Sequence, residues 1–179
     1  DLQKKTKIKK IFLNSNIKIK ELNFSYVDKL SKKVIFKNCN LKINKGEYIG
    51  MVGPSGTGKS TFLNIISGLI KNYDGQVLID DKDIKSLNKT WTNRVAYISQ
   101  NPFFLDDTIK SNIAFAEDEE DINESKIWEA LKSAQLYELV KSSKEELNTV
   151  IGEKGTRLSA GQLQRLAIAR ALYDDFDLI

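Results

Sequence analysis

The 179-residue sequence has no histidine, a single cysteine and no apolar run long enough to cross a membrane. Without imidazole, histidine acid–base catalysis and histidine metal ligation are excluded within these residues. Cys39, being alone, forms neither an internal disulfide nor a cysteine metal cluster, and half-buried packing is its expected role. The longest apolar stretches are strand-sized and nothing resembles a secretory leader, so the sequence reads as cytosolic in character.

What is present suits one globular domain with a sizeable core: 41% of residues are hydrophobic and 29% charged. The net charge is +4, and the excess sits mainly in the first twenty residues, at Lys4, Lys5, Lys7, Lys9, Lys10, Lys18 and Lys20. Such a cluster attracts anionic lipid or nucleic acid. Aromatic residues do not alternate with these lysines to stack on bases, so residues 1–16 read as a solvated basic linker and no nucleic-acid partner is expected. Ile11, Phe12 and Leu13 are its only apolar cluster, and the domain is expected from residue 17.

The most informative stretch is Gly53-Pro54-Ser55-Gly56-Thr57-Gly58-Lys59-Ser60, a complete G-x-x-x-x-G-K-[ST] phosphate loop. Its glycines open backbone conformations closed to other residues, so that successive N–H groups converge on a phosphate. A helix beginning near Lys59 adds its positive end. Lys59 supplies a mobile ammonium for the β- and γ-phosphates, and the Ser60 hydroxyl is placed to ligate Mg2+. The motif needs a strand before it and a helix after it. Tyr48–Val52 reads as a short strand buried on both faces, and Phe62, Leu63, Ile65, Ile66 and Leu69 recur at helical spacing. A glycine-rich surface turn is the bland alternative.

Along the chain, Ile17, Ile19, Leu22 and Phe24 mark a strand with a polar outer face, followed by Tyr26, a lysine-rich turn, and strand candidates at 34–36 and 41–43. These suggest an antiparallel sheet at the start of the domain. Asp74-Gly75 and Asp80-Asp81 bracket a strand over 76–79, and 95–99 reads as another buried strand ending at Gln100. From about 106 to 150 the pattern is helical, with Ile127, Ala130, Leu131 and Ala134 on one face. The acidic run 117–121 lacks the spacing of a calcium loop and reads as a solvated loop.

A second motif follows. Leu158-Ser159-Ala160-Gly161-Gln162-Leu163-Gln164-Arg165 resembles the LSGGQ-x-QR signature of ABC-type ATPases, about a hundred residues after the phosphate loop. The resemblance covers about residues 17–179, with Tyr26, the phosphate loop, Gln100 and the signature in order. It implies an α/β fold: a P-loop NTPase (RecA-like) core with an antiparallel β subdomain and an inserted α-helical subdomain at about 104–158.

It also implies that two such domains face each other head to tail, ATP on one phosphate loop being capped by the other's signature. Ser159 sits where an N-cap belongs, so its hydroxyl and the helix dipole both address a γ-phosphate. Gly161 lets the backbone come close, and Gln162 completes that side of the site. Tyr26 matches the aromatic that stacks on adenine, and Gln100 the glutamine that senses Mg2+ and touches the transport partner. Nucleotide binding is thus expected at Tyr26, Gly53 through Thr61, Gln100, Ser159, Gly161 and Gln162, metal binding at Ser60 and Gln100, and catalytic roles at Lys59, Gln100 and Ser159. Thr149–Gly155, with Glu153, and Leu105–Ile113 resemble exporter segments, implying a transmembrane domain on the same or a partner chain and a place at the cytoplasmic face of the cell membrane.

Two departures stand out. Ala160 replaces a signature glycine: at positive φ its methyl costs roughly 1 kcal/mol, whereas in a helix alanine helps, and the helical case is expected. The sequence also stops at Asp177-Leu178-Ile179, before the aspartate, the water-polarising glutamate and the switch histidine of the family, so these residues alone are expected to be poorly stable and not to hydrolyse ATP unaided. The leading reading is the ATP-hydrolysing domain of an exporter or flippase. A soluble ABC-type ATPase acting on DNA or the ribosome is the alternative, although the interval from Lys59 to Ser159 leaves no room for a coiled coil.

Overall fold

The computed structural model describes residues 12–28, 31–87 and 89–179. The basic stretch from Lys4 to Ile11 lies outside the described residues. The chain forms two compact units: one from the described residues up to Val95 together with Leu178, the other from Ala96–Asp177 with Ile179.

The first unit is built on a four-stranded antiparallel sheet in the order β2-β1-β3-β4. β1 (Asn16–Asp28) places Ile17 and Ile19 in the core by alternation, and the irregularity at Glu21 returns Leu22 to the same face. β2 (Ser31–Asn44) pairs with it as one long strand, not the two short ones read from the sequence. A bulge keeps it continuous: Glu21 and Asn38 adopt φ of 49° and 48°, Asn38 donates its N–H to Asn23 Oδ1 (2.9 Å), and Glu21 donates to Asn40 Oδ1 (2.9 Å). β3 (Asp74–Ile79) and the two-residue β4 (Lys82–Asp83) complete the sheet.

Helix α1 (Lys59–Ile66) packs Phe62, Ile65 and Ile66 into the same core, with α2 (Ile84–Leu87) and α3 (Lys89–Thr92). Trp91, fully buried, donates Nε1–H to the Ile66 carbonyl (2.8 Å) and satisfies an acceptor that the end of α1 leaves over. Leu13 is also in this core, so packing begins ahead of the residue-17 boundary expected from the pattern. Cys39 is partly buried against the cluster, as expected.

Two expected strands are not formed. Tyr48–Val52 carries no ladder among the described residues, and Tyr48 and Val52 are fully exposed. Of 95–99, only Val95 pairs, through one isolated parallel bridge to Leu178. A parallel strand buried on both faces exists only with hydrogen-bonded neighbours on its flanks, and an apolar run by itself records a tendency to burial without supplying the neighbour.

The second unit is helical: α4 (Ile109–Ile113), α5 (Glu124–Ser133), α6 (Tyr137–Lys141) and α7 (Ala160–Tyr173), with single 3-10 turns at Glu119–Asp121, Glu146–Asn148 and Glu153–Gly155. Ile127, Ala130 and Leu131 of α5 meet Leu166, Ala167 and Ala169 of α7 in its core. The side chains of Glu119, Glu120 and Asp121 are exposed, in keeping with a solvated acidic turn.

Candidate functional site

In the first unit, Gly53–Gly58 is an irregular loop leading into α1. Gly58 is the N-cap at φ 97°, ψ 10°, a left-handed conformation that glycine adopts without strain. A Cβ there would also collide with Ile35 Cγ2 on β2. Having no side chain, Gly58 cannot cap the helix. Among the described residues the main-chain N–H groups of Gly56, Gly58, Lys59 and Ser60 donate to no protein acceptor. They are unpaired donors at the positive end of a helix, where anions such as phosphate bind.

Lys59 closes the loop from inside. Its ammonium donates to the carbonyls of Gly53 (2.7 Å) and Pro54 (2.8 Å), and the Thr57 hydroxyl donates to the Pro54 carbonyl (2.9 Å). Turning those carbonyls onto Lys59 and Thr57 leaves the N–H side of the loop to an anion. Ser55 and Ser60 are exposed, Ser60 in the first turn of α1. Before the loop, Glu47 accepts the N–H (2.8 Å) and the Nδ2–H (2.6 Å) of Asn44, and these hydrogen bonds hold its carboxyl below the ordinary carboxylate range.

Tyr26, near the end of β1, is half exposed, with the edge-on ring of Phe24 4.9 Å away. Its hydroxyl lies 3.1 Å from that of Thr61, which is buried in the first turn of α1. The aromatic candidate and the helix that follows the phosphate loop are therefore joined by a direct polar contact, something that spacing alone does not reveal.

The remaining candidates belong to the second unit. Ser159 is the N-cap of α7 and forms a reciprocal capping box: Gln162 N–H donates to Ser159 Oγ (3.3 Å), and Ser159 N–H donates to Gln162 Oε1 (2.7 Å). The Ser159 hydroxyl keeps its own proton for a further acceptor, whereas Gln162 spends its carbonyl oxygen on the cap. Ala160 is the first helical residue, the conformation in which alanine is favourable. A Cβ on Gly161 would meet nothing within 4 Å, so the surface over the start of α7 is open. Gln100 is exposed, and its carbonyl accepts from Gln164 Nε2 (3.5 Å) of α7.

Sequence reading missed the frame under this helix. Arg170 on α7 donates to the carbonyls of Asn112 (2.6 Å) and Phe103 (3.0 Å). The 105–113 and 149–155 segments are stitched together: Ile109 N–H donates to the Thr149 carbonyl (3.0 Å), Ile151 N–H to the Asp107 carbonyl (3.1 Å), and Thr108 bridges to Val150.

Among the described residues, no group of three or more carboxylates or thiols is arranged to hold a metal. The exposed Ser60 hydroxyl is a donor of the kind that suits Mg2+, which binds through few protein oxygens and completes its octahedron with phosphate and water.

The family model described as ABC transporter matches residues 36–179. Over 161 residues the chain is 38% identical to the ATP-binding cassette sub-family B member 5 of Mus musculus, covering 89% of this chain and 13% of that protein. It is 36% identical over 164 residues to the ABC multidrug transporter MDR2 of Trichophyton interdigitale, covering 91% of this chain and 12% of that one. It is 39% identical over 145 residues to the ATP-dependent lipid A-core flippase of Cupriavidus pinatubonensis, covering 80% and 25%. Among solved structures, a bacterial Atm1-family ABC exporter with ATP bound superimposes with a TM-score of 0.78 at 27% identity, covering 91% of this chain and 28% of that one. The chain thus spans between 12% and 25% of the length of these curated relatives.

Proposed function

The chain belongs to the ABC transporter family, and from that membership we propose that it is the ATP-binding and ATP-hydrolysing part of a membrane exporter or flippase. In this reading two copies of the domain, in one protein or two, close head to tail on ATP, and hydrolysis lets them part. The observation that carries it is the uncapped start of α1: unpaired main-chain N–H groups at Gly56, Gly58, Lys59 and Ser60, in a loop whose Gly53 and Pro54 carbonyls accept from Lys59.

Each residue then has a physical task. Gly53, Pro54, Ser55, Gly56, Thr57 and Gly58 shape the loop of N–H donors. Lys59 meets the β- and γ-phosphates, Ser60 offers its hydroxyl to Mg2+, and Thr61 holds Tyr26, on which adenine stacks. Mg2+, when bound, neutralises triphosphate charge that the protein alone does not. Ser159 and Gly161 of the facing domain address the γ-phosphate, with Gln162 holding Ser159 in its cap. Gln100 contributes to the metal and to contact with the transmembrane partner. Phosphoryl transfer to water is promoted chiefly by positioning and charge neutralisation.

Export is favoured because the relatives above include a multidrug transporter, a lipid A-core flippase and an exporter. The paired 105–113 and 149–155 segments would face the membrane domain, at the cytoplasmic side of the membrane. Among the described residues no helix is long and apolar enough to cross a bilayer. The test is calorimetric titration of ATP into Lys59→Ala. Affinity is expected to fall at least about tenfold, the value of one charge-assisted hydrogen bond; unchanged affinity would remove the phosphate-loop assignment.

A further inference from the structure

β2 lies across the phosphate loop and touches it at successive points. Tyr26 pairs with Lys33 across the β1–β2 ladder, and Tyr26 is itself tied to Thr61. Two residues further on, Ile35 packs against Gly58. Between these contacts Lys33 Nζ stands 3.8 Å from the position a Cβ on Gly56 would occupy. Lys32, its neighbour in sequence, lines a cleft with Phe24, Val34 and Tyr73 instead.

Lys33 is exposed and, among the described residues, makes no ion pair. Its ammonium stands beside the Gly56 turn of the phosphate loop, a loop that has unpaired N–H groups and that also carries the Lys59 ammonium. Like charges gathered this way are unfavourable until an anion joins them. From this juxtaposition we infer that Lys33 is a further phosphate-contacting residue of the nucleotide site, a second ammonium that reaches the triphosphate from β2 while Lys59 reaches it from α1. The inference rests on the proposed binding of ATP at the phosphate loop. It deepens that reading by assigning part of the affinity to the sheet, through charge and not through the base.

The experiment is calorimetric titration of ATP, and separately of inorganic tripolyphosphate, into the wild-type chain, Lys33→Met, Lys33→Arg and Lys32→Met, at low and raised salt. Lys33→Met is expected to weaken both ligands about fivefold, the upper range for an exposed ion pair, and to reduce the salt sensitivity of binding. Lys33→Arg should stay within about twofold of wild type because it keeps the charge, and Lys32→Met should bind as wild type. Equal affinity of Lys33→Met and wild type overturns the inference. So does a loss confined to ATP with tripolyphosphate unaffected, which places Lys33 at the base or sugar, or an equal loss in Lys32→Met. So does a lowered melting temperature of ligand-free Lys33→Met, which makes the residue structural. If the wild-type chain binds neither ligand, the phosphate-loop reading itself has failed.

Discussion

Arg170 holds Asn112 by both its main chain and its side chain, Nε donating to the carbonyl at 2.6 Å and an Nη to Oδ1 at 3.3 Å. Asn112 is completely buried, and its amide also serves the loop before α4: Oδ1 accepts the Leu105 N–H (2.9 Å), and Nδ2 donates to the carbonyls of Leu105 (3.1 Å) and Thr108 (3.0 Å). The guanidinium lies over the rings of Phe104 and Phe115 at 4.6 and 5.2 Å. Helix α7, capped by Ser159, is thereby fastened to the 103–113 segment by one planar cation. Burial pulls the Arg170 pKa below the ordinary arginine value without making the group neutral under working conditions.

Arg170→Lys tests that fastening. A lysine keeps the charge but lacks the fork, so acceptors on Asn112 and Phe103 lose donors inside a partly buried site. The second unit should lose about 1–3 kcal/mol of stability, read as a lower urea midpoint by tryptophan fluorescence. A midpoint equal to wild type would mean that any cation suffices there.

Gly58→Ala tests the entry to α1 from two directions. A methyl at φ 97° costs about 1–2 kcal/mol from the left-handed backbone, and it also collides with Ile35 Cγ2. Both the urea midpoint and ATP affinity should fall. In a double-mutant cycle with Ile35→Ala, removing the collision should recover part of the loss, so the two changes should cost less together than their sum. Strict additivity would show that β2 does not press on the loop.

Local rules made much of this legible in advance. The apolar pattern of Ile17, Ile19, Leu22 and Phe24 gave β1, the Gly58-Lys59 junction gave the start of α1, and Ser159 at the N-cap position gave the start of α7. Each of these is decided within a few residues of chain. Tyr48–Val52 and Val95–Ser99 failed because a parallel strand is decided by neighbours far along the sequence. The break read between 36 and 41 is a bulge, held by Asn38 and Asn23, which are fifteen positions apart. Arg170 and Asn112 are separated by 58 positions, and Lys33 matters only because β2 folds over Gly56. None of these pairings leaves a periodic trace in the sequence.

Asp80 supplies the pH-dependent case. It and Asp81, at φ 46° and 66°, form the turn between β3 and β4, and its carboxylate accepts the N–H groups of Asn14 (2.6 Å), Ser15 (2.8 Å) and Asn16 (3.0 Å) where the chain enters β1. Burial pushes the Asp80 pKa up, but the hydrogen bonds from Asn14, Asn16 and Ser15 outweigh it and hold the group below its ordinary value of 3.8. A carboxylate with a depressed folded pKa stabilises above its unfolded pKa, and that contribution is lost as pH falls through the folded one. Asp80→Asn keeps a side chain tolerant of the left-handed turn but replaces a charged two-oxygen acceptor with one neutral oxygen. It should cost about 1–2 kcal/mol near neutral pH. In urea titrations across the acid range, the gap between wild type and Asp80→Asn should narrow once the pH drops below the ordinary aspartate value, because protonation then weakens the same clamp in the wild type. A gap that stays constant down to acid pH would mean that the charge of Asp80 contributes nothing and that only the shape of the turn holds residues 14–16.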